Sequence, residues 1–331
     1  MANYAPQGTP STAATLSQLM QTYYDKVFLE RLQNTQKFNF LAVQKTLPKN
    51  SGQVVYFTRM AQLTANTTAL TDGAGVTGIS STAANVVATA KPYGAFEIIG
   101  SLYEMTTIDT GLKEHVETMG QNAGESLDII LGKELALSAT VQCGGATFAA
   151  QASAIASTDT LSVSSIRKAV STLKKNKAPK WENGNYRAVL DVDGVYGLQG
   201  DTAAGNWINV NMYNSGENAA LLKKGVIGTL YGVDIVETNQ AFSASGDTMA
   251  TAAVSARCNF IAGKGAVAEV SIGGHNARII HKKPSTTDTS NPLDMYSTLG
   301  WKVDAYAAKV LNANWVINMH AFGSGTANSA N

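Results

Sequence analysis

Three glycines, Gly73, Gly75 and Gly78, have the G-x-G-x-x-G spacing that can bind the pyrophosphate of a dinucleotide. That chemistry requires a buried strand leading into the first glycine and a helix beginning at the third. The flanking segments TANTTALTD and ISSTAANVV indicate neither element. Glu97 follows the glycines at about the sequence separation expected of an acid that binds the ribose, but it lies within a strand pattern. We therefore interpret the glycines as a flexible loop tip and predict no bound cofactor.

A histidine and an acid, His115 and Glu117, match the first half of a zinc-deaminase signature. The second half, P-C-x-x-C, is missing from the sequence, and the pair falls beside the apolar stripe of a helix pattern. We therefore interpret both residues as part of a solvated helix face. Asp191 and Asp193 could act as paired carboxylates, but their position before Gly194, where a strand pattern ends, is typical of a turn.

The other histidines and the two cysteines have no spacing that predicts a metal site. His275, His281 and His320 are isolated in the sequence. Cys143 and Cys258 lack a C-x-x-C partner, which excludes a cysteine zinc site and allows at most one bridge. The sequence also lacks H-E-x-x-H, G-x-S-x-G and G-x-x-x-x-G-K-[ST]. We predict no catalytic residues and no metal, and we do not expect an enzyme.

The composition of the 331-residue chain is close to neutral. Charged residues make up 15% of it, against about 25% in an average soluble domain. The net charge is +1, and basic residues cluster only in pairs such as Lys174-Lys175, which argues against a nucleic-acid groove. The N-terminus has no basic n-region and no apolar run reaches membrane-spanning length. We expect a soluble cytoplasmic chain with a surface suited to extensive protein contacts.

The apolar periodicity predicts long elements in the first half of the chain. A flexible arm over residues 1–14 precedes an amphipathic helix, and the strand patterns QVVYFTRM and ANVVATAKPYGAFEII predict an extended hairpin around the glycine segment. Neither strand can bury much surface within its own domain. The longest helix is predicted over residues 110–138, with Asp109 or Thr110 as its cap; its length would be about 40 Å.

The second half of the chain predicts a mixed α+β arrangement without a regular βαβ rhythm. A capped helix, SVSSIRKAVSTLKKNKAP, is followed by short strands and by long closing strands within LGWKVDAYAAKVLNANWVINM. Residues 323–331 indicate a disordered tail.

Seven segments in order, covering about residues 15–320, resemble a tailed-bacteriophage major capsid protein. None of them is catalytic, so their order and spacing carry the resemblance. They are YYDKVFLERL, KPYGAFEIIGSLYEMTTID, KEHVETMGQNAGESLDIIL, IRKAVSTLKKNKAP, LKKGVIGTLYGVDIVETNQ, IAGKGAVAEVSIGG and NPLDMYSTLGWKVDAYAAKVLNANWVINM.

The resemblance implies the Hong Kong 97-like capsid fold, an α+β fold with an N-terminal arm, an extended β-hairpin loop, a peripheral domain with a long spine helix, and an axial domain. It implies the following boundaries: arm and helix 1–50, extended loop 51–103, peripheral domain 104–155 plus 256–322 with the spine helix at about 110–138, axial domain 156–255, and tail 323–331.

The resemblance also implies a function: pentamers and hexamers of this chain form an icosahedral shell around the packaged double-stranded DNA of a tailed phage. Implied partners are other copies of the chain, a portal protein at one vertex, scaffolding and decoration proteins, and the DNA through weak non-specific contacts. The chain would be located in the virion and assembled in the bacterial host cytoplasm, with no membrane contact. Because the sequence begins almost at the helical arm, no long scaffolding leader is expected.

Two sets of residues are expected to carry this function. The tip of the extended loop would contact a neighbouring subunit, and the apolar stripe of the spine helix would hold the subunit together. The tip residues are Thr71, Asp72, Gly73, Gly75, Gly78 and Ser80, and the stripe residues are Leu112, Val116, Met119, Leu127, Ile130 and Leu131.

Two other functions remain open. An encapsulin-like compartment shares the fold but encloses enzymes, and neighbouring genes for a portal and a terminase would distinguish a phage protein from it. A nucleotide-dependent cytoplasmic enzyme built around Gly73–Gly78 is the alternative from another class, and tight binding of a nucleotide by the monomer would favour it.

Overall fold

The structure is a computed structural model of the chain. It describes residues 13–48, 52–61, 63, 65–69, 72, 73, 75, 78–106, 112–138, 140–143, 160–200, 226–240, 242, 256–272, 277–282, 293 and 295–322. The chain divides into two compact units, and several elements run from one into the other. The first unit is drawn from residues 1–36, 92–128 and 275–304, and the second from 37–91, 129–274 and 305–331.

Five helices and thirteen strands are defined in the described part of the chain. The helices are α1 (Ala13–Thr35), α2 (Ser101–Thr106), α3 (Leu112–Ser138), α4 (Val163–Lys175) and α5 (Val192–Gln199). The strands are β1 (Ala42–Leu47), β2 (Val54–Met60), β3 (Ala83–Thr89), β4 (Lys91–Gly100), β5 (Thr140–Cys143), β6 (Tyr186–Asp191), β7 (Val226–Leu230), β8 (Val233–Thr238), β9 (Ala256–Ala262), β10 (Val267–Ile272), β11 (Arg278–Lys282), β12 (Tyr296–Val310) and β13 (Val316–Phe322).

The first unit combines α1, α2 and the N-terminal part of α3 with β4, β11 and the start of β12. β11 pairs antiparallel with β12, from Arg278 opposite Lys302 to Lys282 opposite Thr298, and β4 also pairs with β12. The indole N–H of Trp301 on β12 donates to Asn122 Oδ1 on α3 at 2.9 Å, which ties the strand to the long helix.

The second unit contains a six-stranded mixed sheet in the order β5-β13-β9-β6-β8-β7. Apolar residues of α4 and α5, among them Ile166, Leu173 and Val195, pack with the sheet residues Ile317 and Met319 in one buried cluster. The Ser162 side chain accepts a hydrogen bond from the Ser165 backbone N–H and so caps α4.

A second group of strands in this unit supports a hairpin. β1 pairs parallel with β10, and β10 pairs antiparallel with the end of β12. β2 and β3 form a separate antiparallel pair, from Val54 opposite Thr89 to Met60 opposite Ala83. The strand pattern ANVVATAKPYGAFEII therefore forms two strands, because β3 pairs with β2 whereas β4 pairs with β12.

Some sequence predictions fall outside the described residues: the helix caps Asp109 and Thr110, the arm up to residue 12, the tail 323–331, and much of the segment 156–255. One expectation is corrected. β6 ends at Asp191 as the strand pattern predicts, but Asp191 is then the N-cap of helix α5 and Asp193 lies in its first turn, so the segment is helical and not a turn. Among the described helices, none is long and apolar enough to cross a membrane.

Candidate assembly surfaces

The hairpin β2–β3 is anchored on one side and exposed on the other. Val55 and Ala88 lie opposite each other and are buried in a cluster with Val270 and Ala307 of the supporting strands. Several large apolar side chains on or near the hairpin remain exposed, and we call them the hairpin surface: Val54, Tyr56, Met60, Leu63, Ile79 and Val87. Because exposed apolar strands with unpaired edges are typical of association sites, this surface is suited to contact another chain.

The tip of the hairpin is exposed in the part of the chain that the structure describes. Asp72, Gly73, Gly75, Gly78 and Ser80 are exposed, and a Cβ atom at any of the three glycines would meet no described heavy atom within 4 Å apart from its chain neighbours. Only Gly73 has a left-handed backbone, with φ +79°. Thr71 lies outside the described residues. The element that follows Gly78 is the strand β3 and not a helix, so the tip lacks the helix N-terminus that a dinucleotide site requires.

A cleft of about 240 Å³ lies where the hairpin meets the strands beneath it. We call it the basic cleft, because its lining includes the cations of Lys45 and Arg59. The Lys45 ammonium lies 4.9 Å from the centroid of the Phe57 ring, a cation–π distance. Neither cation forms an ion pair within the part of the chain that the structure describes. The described residues that line the cleft are Lys45, Phe57, Thr58, Arg59, Val86, Gly265, Leu311 and Trp315.

The first unit carries its own exposed apolar surface around β4. The Ser101 backbone N–H donates to the Met295 carbonyl at 2.9 Å, which brings the end of β4 beside the segment that precedes β12. The exposed fractions range from 59% for Ile98 to 77% for Leu293. The residues of this β4 patch are Phe96, Ile98, Leu102, Leu293 and Met295. A group of large apolar side chains at this exposure is unusual for a monomer surface and favours a contact between chains.

The structure pairs two residues that the sequence motifs treat separately, His115 and Glu97. His115 Nδ1 lies 3.2 Å from Glu97 Oε2, and the ring of Tyr103 approaches the imidazole edge-on at 5.7 Å between centroids. The His115 side chain is only 23% exposed, so the expectation of a solvated face is wrong for this residue. Glu117 instead lies 3.7 Å from Lys113 on the same helix. The His115–Glu97 pair links α3 to β4 within the first unit and has the geometry of a structural contact.

A buried polar group in the six-stranded sheet contains residue types of a cysteine hydrolase. Cys258 on β9 lies opposite His320 on β13, and Asn318 donates to the Cys258 sulfur at 3.4 Å. Burial raises the pKa of the Cys258 thiol to about 12 and lowers the pKa of His320 to about 4. Because a nucleophile must be a thiolate, a buried neutral thiol of this kind is inert at neutral pH.

Asp191 lies close enough to Cys258 to raise its thiol pKa further. Its own pKa is raised to about 6, chiefly by burial, with the Arg257 guanidinium opposing the shift. Burial and the Asp191 charge thus both favour the neutral Cys258 thiol, whereas a catalytic cysteine needs surroundings that favour its thiolate. Within the described residues, no three His, Cys, Asp or Glu side chains are placed to hold a metal ion.

The long helix α3 buries most of its predicted apolar stripe. Val116, Met119, Leu127 and Leu131 are buried and Ile130 is half-buried, whereas the side chain of Leu112 lies outside the described set.

The sequence interpretation missed two glycines on α3 where α1 passes. A Cβ at Gly120 would lie 2.9 Å from the Phe28 carbonyl oxygen, and one at Gly124 would lie 2.8 Å from the Leu32 carbonyl oxygen. Their G-x-x-x-G spacing within MGQNAGES is the signal that could have identified this close helix contact.

Comparison with known proteins finds likenesses at the level of structure. No protein-family model matches the chain, and no curated protein matches it. The capsid of Ralstonia phage GP4 is similar at 15% identity and a TM-score of 0.64, covering 89% of each chain. The capsid of cyanophage Pam1 is similar at 15% identity and a TM-score of 0.62, covering 98% of this chain and 97% of that one.

A virus-like particle from Pyrococcus furiosus is similar at 8% identity and a TM-score of 0.51, covering 91% of this chain and 99% of that one. Because the phage structures match over most of both chains, they confirm the fold that the ordered sequence motifs predict. The chain has the mixed α+β fold of phage capsid proteins.

Proposed function

We propose that the protein is the major capsid protein of a tailed bacteriophage. Its copies would form pentamers and hexamers, and these would close an icosahedral shell around packaged double-stranded DNA. The observation that carries the proposal is the structural likeness to phage capsids over nearly the whole chain. The exposed hairpin surface and the β4 patch support it, since both expose apolar area that assembly would bury.

In this proposal, the hairpin tip lies across a neighbouring subunit, where the small residues Gly73, Gly75, Gly78 and Ser80, together with Thr71 and Asp72, make the contact. The apolar stripe of α3 holds the subunit together as the spine of its peripheral domain. Residues 51–103 form the extended loop, 104–155 plus 256–322 the peripheral domain, and 156–255 the axial domain. Many modest contacts of this kind, repeated around a closed shell, give a stable particle through avidity.

The proposed partners follow from this role. Copies of the chain contact one another, a portal protein replaces one pentamer, and scaffolding and decoration proteins bind the shell. Contact with the DNA is weak and non-specific, because a net charge of +1 supplies little attraction for phosphates. The protein would be located in the virion after assembly in the bacterial host cytoplasm.

The direct test is electron microscopy and sedimentation of the purified full-length chain. We expect closed particles in the megadalton range, and a chain that remains monomeric at all concentrations would contradict the proposal. Deleting residues 71–80 should leave folded subunits, checked by circular dichroism and urea unfolding, but reduce the yield of stable particles. Normal yield and normal heat resistance of the deletion variant would show that the tip has no intersubunit role.

An encapsulin-like compartment is the second candidate, favoured by the likeness to the Pyrococcus furiosus virus-like particle. The two candidates differ in what the native particle encloses. Particles isolated from their source should contain double-stranded DNA if the protein is a phage capsid protein. Enclosed protein cargo without a genome would instead identify a compartment.

A further inference from the structure

The segment between the two hairpin strands carries only one charge. Residues 61–82 contain neither lysine nor arginine, and their one acidic residue is Asp72. Asp72 is exposed and forms no ion pair within the described part of the chain. Small neutral residues are easily desolvated at an interface, whereas an isolated carboxylate is not, unless it meets an opposite charge there.

The basic cleft has the complementary property. Lys45 and Arg59 bring two positive charges to its rim, and none of the described residues that line it is a carboxylate. The Phe57 ring holds the Lys45 ammonium at 4.9 Å and so restrains it beside the cleft without neutralising it. The cleft has a volume of about 240 Å³, and Lys45, Thr58 and Arg59 at its rim are exposed, so a carboxylate can enter it. Both features belong to every copy of the chain, one at the hairpin tip and one beside the hairpin strands.

We propose that the Asp72 carboxylate of one copy binds between Lys45 and Arg59 in the basic cleft of a second copy. This inference rests on the proposed function, because it requires copies to assemble through the hairpin. The contact joins two different patches, so it is head-to-tail, and contacts of that kind generate closed rings when the rotation between copies closes. A charge pair at the rim of the interface would fix the register of the hairpin on its neighbour.

The experiment uses full-length chains with reversed charges. The tip variant is Asp72→Lys, and the cleft variant is Lys45→Glu together with Arg59→Glu. Each variant alone should yield at least about tenfold fewer particles than the wild type, because like charges then meet at the contact. A third variant that carries all three substitutions in one chain should recover particles, since its lysine tip then meets the glutamate cleft of an identical neighbour in rings of any size.

Two further variants serve as controls. Asp72→Asn keeps the turn preference of the position while removing its charge, and it should make the particle yield lower and less sensitive to salt. Lys180→Glu reverses an exposed lysine that also lies over an aromatic ring, that of Tyr186, at 5.8 Å, and it should leave the yield unchanged. Circular dichroism confirms that each subunit is folded; if the glutamate cleft variant is not folded, Lys45→Gln with Arg59→Gln replaces it.

The outcomes separate this inference from the proposed function. Wild-type particles together with normal yields from both charge variants would overturn the inference alone, and so would a folded triple variant that fails to recover particles. Loss of enclosed DNA from the cleft variant, with normal particle yield, would identify a nucleic-acid phosphate as the occupant and overturn the inference. Absence of particles from the wild-type chain would overturn the proposed function and the inference together.

Discussion

Glycines serve opposite purposes in the hairpin tip and in helix α3. At the tip, a Cβ at Gly75 or Gly78 would have no heavy atom of the described residues within 4 Å, apart from its chain neighbours. On α3, Gly120 and Gly124 have the backbone of α1 less than 3 Å from the same position. Adding a methyl group would therefore cost little at the tip of an isolated subunit, and would force two helices apart on α3.

The comparison teaches that glycine spacing has meaning only together with its surroundings. The G-x-G-x-x-G spacing at the tip is typical of a nucleotide site, but the strand and helix that such a site needs are not on either side of it. The G-x-x-x-G spacing on α3 is better known from membrane helices, yet here it marks a place where the α1 backbone lies within 3 Å of the Cβ positions of both glycines. Substitutions at the two sets of glycines can test this distinction.

The largest effect is expected for Gly124→Val. The new side chain would start 2.8 Å from the Leu32 carbonyl oxygen and 2.9 Å from Thr35 Cβ, both on α1. Relief requires the helices to separate, so the free energy of unfolding should fall by about 3 kcal/mol or more. Urea unfolding of dissociated subunits measures the change. A loss below about 1 kcal/mol would mean that α1 can move away freely, and that the close contact contributes little.

A smaller loss, about 1 kcal/mol, is expected for Gly124→Ala. Helix propensity alone would stabilise the variant by about 1 kcal/mol, but the overpacked methyl group costs about 1–3 kcal/mol, so the steric effect should dominate. Thr118→Ala on the exposed face of the same helix is the matched control. Without a close neighbour, it should be neutral or slightly stabilising in the same urea experiment. If Gly124→Ala and Thr118→Ala stabilised the subunit equally, a methyl group would fit at Gly124, and the helix glycine would be no more restricted than the tip glycines.

At the tip, Gly73→Ala should cost about 1 kcal/mol at most. The cause is the backbone, since φ is +79° and an alanine in this region meets its own carbonyl oxygen. Because the tip is exposed, the turn can open without unfolding the subunit, and the heat resistance of assembled particles should reveal the change better than urea unfolding does. If the particles of this variant were as heat-resistant as those of the wild type, Gly73 would not need its left-handed conformation in the assembled particle.

The sequence predicts the fold class and the position of the longest element well. A helix expected over residues 110–138 is present as Leu112–Ser138, because its apolar periodicity is local and long. Strand pairing is harder to predict, since it depends on contacts between distant segments. The sequence pattern continues through residues 84–99 as one strand, and only the pairing of β4 with β12 separates its second part from the hairpin.

The side-chain clusters also depend on contacts between distant segments, and they are hard to predict for the same reason. His115 and Glu97 each belong to a motif that fails, and the sequence gives no reason to pair them, whereas the fold places their side chains 3.2 Å apart. Cys258 and His320 are 62 positions apart and become neighbours only through the register of β9 and β13. By contrast, the Gly120–Gly124 contact has a local signal in its spacing, so a search for small residues along the predicted helix could have found it.

The smallest effect on the isolated subunit is expected for Gly75→Ala and Gly78→Ala. Neither residue has a left-handed backbone, and no described residue beyond the chain neighbours lies within 4 Å of either Cβ position, so the free energy of unfolding should change by less than about 0.5 kcal/mol. Particle yield, measured by sedimentation, should nevertheless fall if the tip packs against another copy as densely as a protein interior. In that case the tip glycines resemble those of α3, and the approaching backbone belongs to a neighbouring subunit. If particle yield and subunit stability are both unchanged, these glycines provide only flexibility, and the proposed intersubunit contact of the tip would have to come from the side chains around them.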